Sequence, residues 1–303
     1  MKKSVKQKLW HETLEELGEE RGFYRPLGDK HNALFVEGDG TLVVTFDNLD
    51  DARQDPADRM PWGSEFISSR GWSSLGLGAH GWTWYRDDAV LDFFDELDRT
   101  GFFNRFDKVV FYGTSMAGYA ASVFSAASPG ARVIAMNPQA TLDRNITAGW
   151  EPRYFRSWGQ DFSGRYSYGP AESAAAEKVY LFYDPMVAED AMHAALFQND
   201  NVEKIRCTHF GHGLTSSFLN MGILKDLVQM CIARTPSSAE IYALMRARRL
   251  NPKYQKTVLN HLKETNRPWM VHTYTQAVLA RSGGKGRPHF RNAMEEAAAN
   301  LRR

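Results

Sequence analysis

The segment from Lys108 to Ala121 constrains the fold of this chain more than any other. It reads Lys-Val-Val-Phe-Tyr-Gly-Thr-Ser-Met-Ala-Gly-Tyr-Ala-Ala, a short apolar run, a small-residue turn carrying Ser115, and then a helix-forming run. Gly113 and Ala117 stand two residues on either side of the serine, where larger side chains would collide across a sharp turn. The pattern predicts a strained strand–turn–helix, with positive φ at Ser115, that lifts its hydroxyl above one edge of a sheet.

Strand and helix patterns alternate regularly around this segment. We expect a first helix over 5–22, then strands at 33–37 and 41–46 that pair through a Gly-Asp-Gly turn, and a strand at 74–79. Further strands are expected at 109–112, 132–136, 179–183 and 202–208, with helices at about 116–127, 188–197 and 214–233. Such alternation predicts an α/β fold with a mostly parallel sheet flanked by helices.

The chain is expected to divide into a main domain, 1–234, and a C-terminal helical extension, 235–303. No strand pattern occurs after about Thr235, and the apolar residues there recur at helical spacing. Such residues need a partner surface to bury, either the main domain or a second subunit, which leaves a homo-oligomer open. The basic residues of this segment are interpreted as a solvated helix face.

Composition excludes several classes of function. The 303 residues are 43% hydrophobic and 24% charged with a net charge of +1, so no overall field favours nucleic acid as a partner. Cys207 and Cys231 form neither a disulfide framework nor a metal-ligand spacing, and no cofactor motif is present. The N-terminal segment has no apolar signal region, and no window is apolar enough to span a membrane, so we expect a cytoplasmic protein.

Residues that could activate Ser115 follow two later strands. A serine nucleophile needs a base within hydrogen-bond reach and an acid that orients the base. Asp184 comes directly after the strand 179–183, and His212 lies in Phe-Gly-His-Gly-Leu after the strand 202–208. The carboxyl ends of parallel strands meet at one edge of the sheet. We therefore expect the three side chains to lie together there.

With Ser, Asp and His in that order, the chain resembles the α/β-hydrolase superfamily over about residues 32–233. The resemblance implies Ser115 as nucleophile, His212 as general base and Asp184 as the acid that orients it. Asp190 on the same loop, which also has the position of a helix N-cap, and Asp143 after the preceding strand are alternatives for the acid. No metal is implied.

The same resemblance implies an oxyanion hole made of two backbone N–H groups. One belongs to the residue after the nucleophile, Met116. The other belongs to the loop after the strand 41–46, which reads Asp-Asn-Leu-Asp-Asp from Asp47, with Asn48 as the candidate. The His-Gly-Gly motif is absent, and Asp50 and Asp51 would oppose an oxyanion if they pointed inward.

An aromatic stretch after the strand 74–79 predicts the wall of a binding site. Trp84 and Arg86 are the candidate binding residues, suited to a sugar, an acyl chain with a polar head or an anionic ester. The predicted function is a serine hydrolase or acyltransferase acting on an ester, thioester or acylated glycan. The alternative is a non-catalytic binding or scaffold protein in polysaccharide or envelope assembly, favoured by the unusual oxyanion loop.

Four segments are also similar to a group of bacterial proteins often called phosphoadenosine phosphosulfate reductases. They begin at Glu15, Ala117, Pro138 and Met192. Reductases of that name use a redox cysteine near the C-terminus, whereas the last cysteine here, Cys231, lies in an apolar helical run. No phosphate-cradling glycine loop is present either. The reductase chemistry is therefore not expected of this chain.

Overall fold

A computed structural model describes residues 3–50, 60–283 and 287–302, with side chains from Trp10 onward. The strands are β1 (Gly22–Leu27), β2 (His31–Val36), β3 (Asp39–Asn48), β4 (Trp72–Ala79), β5 (Lys108–Thr114), β6 (Arg132–Met136), β7 (Lys178–Tyr183) and β8 (Val202–Arg206). The helices are α1 (Lys3–Arg21), α2 (Ser64–Ser68), α3 (Asp88–Arg99), α4 (Met116–Phe124), α5 (Arg144–Thr147), α6 (Gly169–Glu172), α7 (Ala188–Leu196), α8 (Leu214–Asn220), α9 (Leu224–Ala233), α10 (Ser238–Leu244), α11 (Pro252–Glu264), α12 (Pro268–Arg281) and α13 (Pro288–Leu301).

The strands form one sheet in the order β1-β2-β4-β3-β5-β6-β7-β8. From β4 through β3 to β8 all neighbouring strands are parallel, whereas β2 is antiparallel to both β1 and β4. This mostly parallel sheet flanked by helices is the α/β-hydrolase-type fold that the sequence predicts. The carboxyl ends of β5, β7 and β8 lie at the same edge of the sheet.

The predicted pairing of β2 with β3 is wrong. β4 lies between them. It is antiparallel to β2 on one side and parallel to β3 on the other, and the second edge of β3 pairs with β5. The link between β2 and β3 does not form a hairpin turn, since its N–H groups bond to the start of β4: Gly38 donates to Ser73 Oγ at 2.8 Å and Asp39 to the carbonyl oxygen of Gly71 at 2.6 Å. β1 was not predicted, since Gly22 and Pro26 lower its strand propensity.

Helix α4 packs directly against the centre of the sheet. Its residues from Gly118 to Phe124 are buried, and β5 supplies a nearly continuous apolar run beneath it. A Cβ on Gly118 would lie 3.3 Å from the carbonyl oxygens of Gly113 and Met136, so only a very small residue allows this approach. The close packing holds the β5–α4 turn rigidly at the sheet edge.

The chain divides into two compact units, one of residues 1–215 and 225–238, the other of residues 216–224 and 239–303. The first contains the whole sheet. The second is helical in its described part, with a core of its own in which Leu259, Val271, Val278 and Phe290 are buried. The boundary at 234/235 stays a prediction. Across the described residues, no helix has both the length and the apolar character to cross a membrane.

Candidate functional site

Ser115 stands alone between β5 and α4, with φ 54° and ψ −120°. The predicted positive φ at a strand–helix turn is thus present. Its N–H donates to the carbonyl oxygen of Met136 at 2.8 Å, and its carbonyl oxygen accepts from Tyr119 at 2.9 Å. A Cβ on Gly113 would lie 2.1 Å from the carbonyl oxygen of Ala117, so the turn requires glycine there. A non-glycine residue held in such a region typically costs on the order of 1–3 kcal/mol.

His212 lies in the loop between β8 and α8, and its ring reaches the serine. The Nε2 atom is 2.9 Å from Ser115 Oγ. Gly211 before it has φ 70°, a left-handed conformation that turns the loop toward the sheet edge. The structure brings together Ser115 and His212, which are 97 residues apart in the chain.

The acid that contacts the imidazole is Asp190, and the prediction of Asp184 is wrong. His212 Nδ1 is 2.9 Å from both carboxylate oxygens of Asp190. Asp190 is the third residue of α7 and is 2% exposed. It does not cap that helix, because its carboxylate turns toward the sheet edge instead.

Asp184 binds backbone N–H groups of the neighbouring loops instead of the His212 ring. Its Oδ1 accepts from the backbone N–H groups of Met186 at 2.9 Å and His209 at 3.2 Å, and its Oδ2 accepts from Gly211 at 2.6 Å. A short side chain directly at a strand end meets these nearby N–H groups first. Asp184 therefore shapes the loop that carries His212. The third candidate, Asp143, caps α5 by accepting from Asn145 at 2.8 Å.

Two further groups donate to the Asp190 carboxylate. Arg153 Nη1 lies 2.7 Å from Oδ1, and Asn137 Nδ2 lies 2.5 Å from Oδ2. Burial by itself raises the pKa of Asp190, but the hydrogen bonds and charges of His212 and Arg153 outweigh it, so the pKa is lowered. Asp190 is therefore a buried, ionised carboxylate.

Behind Arg153 lies a second buried pair, Glu151 and His193. Glu151 is bound by the Arg153 guanidinium and lies 3.0 Å from His193 Nε2. His193 Nδ1 accepts from the backbone N–H of Ala140 at 3.1 Å, so its hydrogen is on Nε2 and the ring is neutral. Burial opposes ionisation of Glu151, yet Arg153 and His193 lower its pKa to about 2. The ionised Glu151, Arg153 and Asp190 leave one net negative charge beside His212.

Tyr154 follows Arg153 and reaches the Ser115–His212 pair. Its hydroxyl oxygen is 3.4 Å from Ser115 Oγ and 3.3 Å from His212 Nε2. Gln139 Nε2 donates to the same oxygen at 3.1 Å. Burial raises the pKa of Tyr154, so the phenol keeps its proton.

The two predicted oxyanion donors occupy different surroundings. Met116 is the first residue of α4, where a backbone N–H has no partner within the helix. Asn48 ends β3, and its side-chain oxygen accepts from the N–H of Asp50 at 3.1 Å. Asp51 and the loop up to residue 59 lie outside the described residues. The oxyanion roles of Met116 and Asn48 stay predictions.

Trp84 and Arg86, the predicted binding residues, are both engaged within the protein. Trp84 is 1% exposed, and its indole N–H donates to Ser157 Oγ at 2.8 Å. Arg86 donates to the backbone carbonyl oxygens of Asp161, Ser163, Arg165 and Tyr166. These contacts anchor the insertion between β6 and β7. A role in binding remains a prediction for both residues.

Trp82 is an exposed aromatic side chain that contacts Tyr154 beside the serine. It is 51% exposed, and its ring lies edge-to-face with Tyr154 at 5.7 Å between centroids. Beside it is a cavity of about 320 Å³ whose lining includes His31, Asp87 and the predicted binding residue Arg86. The described residues contain no group of three or more side chains able to hold a metal ion.

Sequence reasoning missed the groups supplied by the insertion between β6 and β7. Glu151, Arg153 and Tyr154 lie in a polar and aromatic stretch with neither helical nor strand periodicity. The position of the insertion, between two strands that end at the serine's edge of the sheet, was the one available signal. Nothing local distinguishes these residues from surface loop residues.

Of the comparisons with known proteins, only the one with solved structures finds matches to this chain. No family model matches it, and no curated protein matches it, so the resemblance to proteins called phosphoadenosine phosphosulfate reductases is not shown. Among solved structures, a capsule O-acetyltransferase of Neisseria meningitidis serogroup A is 14% identical over 67% of this chain and 92% of that one, with a TM-score of 0.44.

Two other solved structures are similar at the same level. Est1E from Butyrivibrio proteoclasticus is 11% identical over 68% of this chain and 97% of its own, with a TM-score of 0.43. An esterase of Pyrococcus furiosus is 13% identical over 68% of this chain and 87% of its own, with a TM-score of 0.41.

Proposed function

We propose that this chain is a serine hydrolase or acyltransferase that acts on an ester, thioester or acylated glycan. The observation that carries the proposal is the continuous set of 2.9 Å contacts from Ser115 Oγ through the His212 ring to the Asp190 carboxylate. The strained backbone of Ser115 supports it, since strain at a reacting residue is maintained only where surrounding structure enforces it.

In the proposed reaction Ser115 Oγ attacks the carbonyl carbon while His212 Nε2 takes its proton. Asp190 holds the Nδ1–H side of the ring and stabilises the imidazolium that forms. The tetrahedral intermediate collapses when Nε2 returns the proton to the leaving oxygen or sulfur, which leaves an acyl group on Ser115. Water, or the hydroxyl of an acceptor, then gives its proton to Nε2 and attacks the acyl carbon. Nε2 returns that proton to Ser115 Oγ as the acyl–Oγ bond breaks.

The net negative charge of the buried cluster favours proton transfer from Ser115 to His212. The imidazolium carries a positive charge during acylation, and Asp190, Arg153 and Glu151 together present one negative charge to it. Arg153 limits that charge, because a buried carboxylate pair without a cation would be costly.

A fluorophosphonate probe tests the proposal directly. We expect the full chain to be labelled on Ser115, as identified by peptide mass spectrometry, and Ser115→Ala and His212→Gln to lose labelling. Ser69→Ala is the matched control, because Ser69 Oγ donates only to the carbonyl oxygen of Phe66 on an exposed turn. Unlabelled wild-type protein that is folded by circular dichroism would instead favour the non-catalytic binding or scaffold function.

Hydrolase and acyltransferase are separated by adding acceptors. With p-nitrophenyl acetate as donor, release of nitrophenol measures acylation in both cases. Transfer of the acetyl group to an added sugar hydroxyl, detected by mass spectrometry, identifies an acyltransferase, whereas acetate alone identifies a hydrolase.

A further inference from the structure

Tyr154 touches both atoms that exchange a proton in the proposed reaction, and no step described above uses it. Its oxygen is 3.4 Å from Ser115 Oγ and 3.3 Å from His212 Nε2. The residue is 8% exposed, and its ring is enclosed by Trp82, Trp84 and the Arg153 guanidinium. A hydroxyl fixed at this point by its surroundings needs no reorganisation during the reaction.

The direction of the Tyr154 hydroxyl hydrogen follows from its neighbour Gln139. The nitrogen Nε2 of Gln139 lies 3.1 Å from the Tyr154 oxygen and 3.5 Å from the backbone carbonyl oxygen of Asn137. Because a carbonyl oxygen can only accept, the atom facing both is the amide nitrogen. The Tyr154 oxygen thus accepts from Gln139, and its one hydrogen is left for the Ser115–His212 pair.

In the resting site this hydrogen has a poor acceptor. The Ser115 hydroxyl, at 2.9 Å, donates to the lone pair of His212 Nε2. Tyr154 is then left with Ser115 Oγ at 3.4 Å, a distance at which a hydrogen bond between oxygens is weak.

The acceptor changes when Ser115 attacks. His212 Nε2 then carries a proton and cannot accept, and Ser115 Oγ has become part of an ester-like bond. The former carbonyl oxygen, attached to the same carbon as Oγ, becomes negatively charged and is the strongest acceptor within reach. An interaction that strengthens only in the transition state raises kcat rather than substrate affinity.

We propose that Tyr154 is a catalytic residue, whose hydroxyl donates a hydrogen bond to the oxyanion together with the backbone N–H of Met116. This inference rests on the proposed function. No proton leaves Tyr154, and on collapse of the intermediate its hydrogen bond returns to Ser115 Oγ. The Tyr154 hydroxyl would take the place of the backbone donor expected from the loop after β3, whose sequence lacks the His-Gly-Gly motif.

The test compares Tyr154→Phe with Tyr166→Phe. Tyr166 lies in the same insertion, and its hydroxyl donates to Asp95 at 2.8 Å, away from the reacting atoms. We expect Tyr154→Phe to lower both the fluorophosphonate labelling rate at Ser115 and kcat for p-nitrophenyl acetate by on the order of 10²-fold. KM should stay nearly constant, and Tyr166→Phe should leave both rates within about threefold of wild type because it loses no transition-state contact.

Unchanged rates in Tyr154→Phe would overturn the inference, and faster rates would show that the hydroxyl obstructs the substrate oxygen. If Tyr154→Phe fails to fold because Gln139 loses its acceptor, the double variant Tyr154→Phe with Gln139→Leu removes both polar partners. The same outcomes then apply to it. Wild type that is never labelled overturns the proposed function and this inference together, whereas labelled wild type with an unaffected Tyr154→Phe overturns the inference alone.

Discussion

The carboxylate of Asp190 faces the Nδ1 edge of the His212 ring, with 2.9 Å to each of its oxygens. The side chain that makes this contact lies in the first turn of α7, seven residues after the end of β7. Asp184, at the strand end, binds the backbone of the loop that leads to the histidine. The two aspartates therefore act on His212 in different ways: Asp190 orients its ring, and Asp184 shapes the loop that carries it.

Asparagine substitution should separate these two aspartates. Asp190→Asn removes the charge that holds the imidazolium, and we expect kcat for p-nitrophenyl acetate to fall on the order of 10³- to 10⁴-fold. Asp184→Asn keeps one acceptor oxygen and turns the other into an NH2 donor, so at least one of the three backbone N–H groups loses its acceptor. Unfolding of this variant in urea should therefore show a loss of about 1–3 kcal/mol. Its kcat should fall less than tenfold. A larger kinetic loss in Asp184→Asn than in Asp190→Asn would contradict these assignments.

Arg153 is expected to set the pH range of the reaction. Its guanidinium neutralises part of the Asp190 charge, and Arg153→Met removes that cation from behind the histidine. The imidazolium would then be more stable, so the acid limb of the kcat/KM profile should move to higher pH. This variant leaves Glu151 buried without its cation. The double variant Arg153→Met with Glu151→Gln is therefore measured beside it, because it removes that unpaired charge as well. An acid limb that stays in place in both variants would show that Arg153 has no electrostatic role.

The two small residues that flank Ser115 should differ in their tolerance of change. A Cβ at Gly113 would lie 2.1 Å from a backbone oxygen, so Gly113→Ala should lower the free energy of unfolding by more than about 3 kcal/mol. Ala117→Gly leaves the turn intact and should cost at most about 0.5–1 kcal/mol, the usual cost of replacing alanine by glycine within a helix. Labelling of Ser115 should survive in Ala117→Gly. Urea denaturation of both variants gives the comparison, and equal losses would argue against the steric account of the turn.

His31 should make stability depend on pH. Burial lowers its pKa from 6.5 to about 4, so the unfolded chain binds a proton in this range and the folded chain does not. Its contribution to stability is therefore complete above about pH 6.5 and is lost as the pH falls toward 4. His31→Gln should flatten this part of the curve of unfolding free energy against pH, with His289→Gln, an exposed histidine, as control. Parallel curves for wild type and His31→Gln would rule out the assignment.

The sequence by itself determined the features that depend on local backbone geometry. Gly113, Ser115 and Ala117 specify a turn that only small neighbours allow, and the structure has it with φ 54° at the serine. The alternation of apolar strands and helices specifies a parallel sheet, and parallel strands carry their following loops to one edge. Ser115 and His212 could therefore be paired from sequence, although 97 residues separate them.

The tertiary structure alone decided which groups meet at that pair. Asp184 and Asp190 follow the same strand, and the choice between them depends on where the N–H groups of the 209–211 loop lie after folding. Tyr154 and Arg153 reach the site from an insertion without periodicity, and Tyr154 is 39 residues from Ser115. A sequence pattern encodes the conformation of neighbouring residues, whereas these contacts depend on the packing of segments distant in the chain. The strand–turn–helix could thus be predicted from the sequence, whereas the contacts of Asp190, Arg153 and Tyr154 could not.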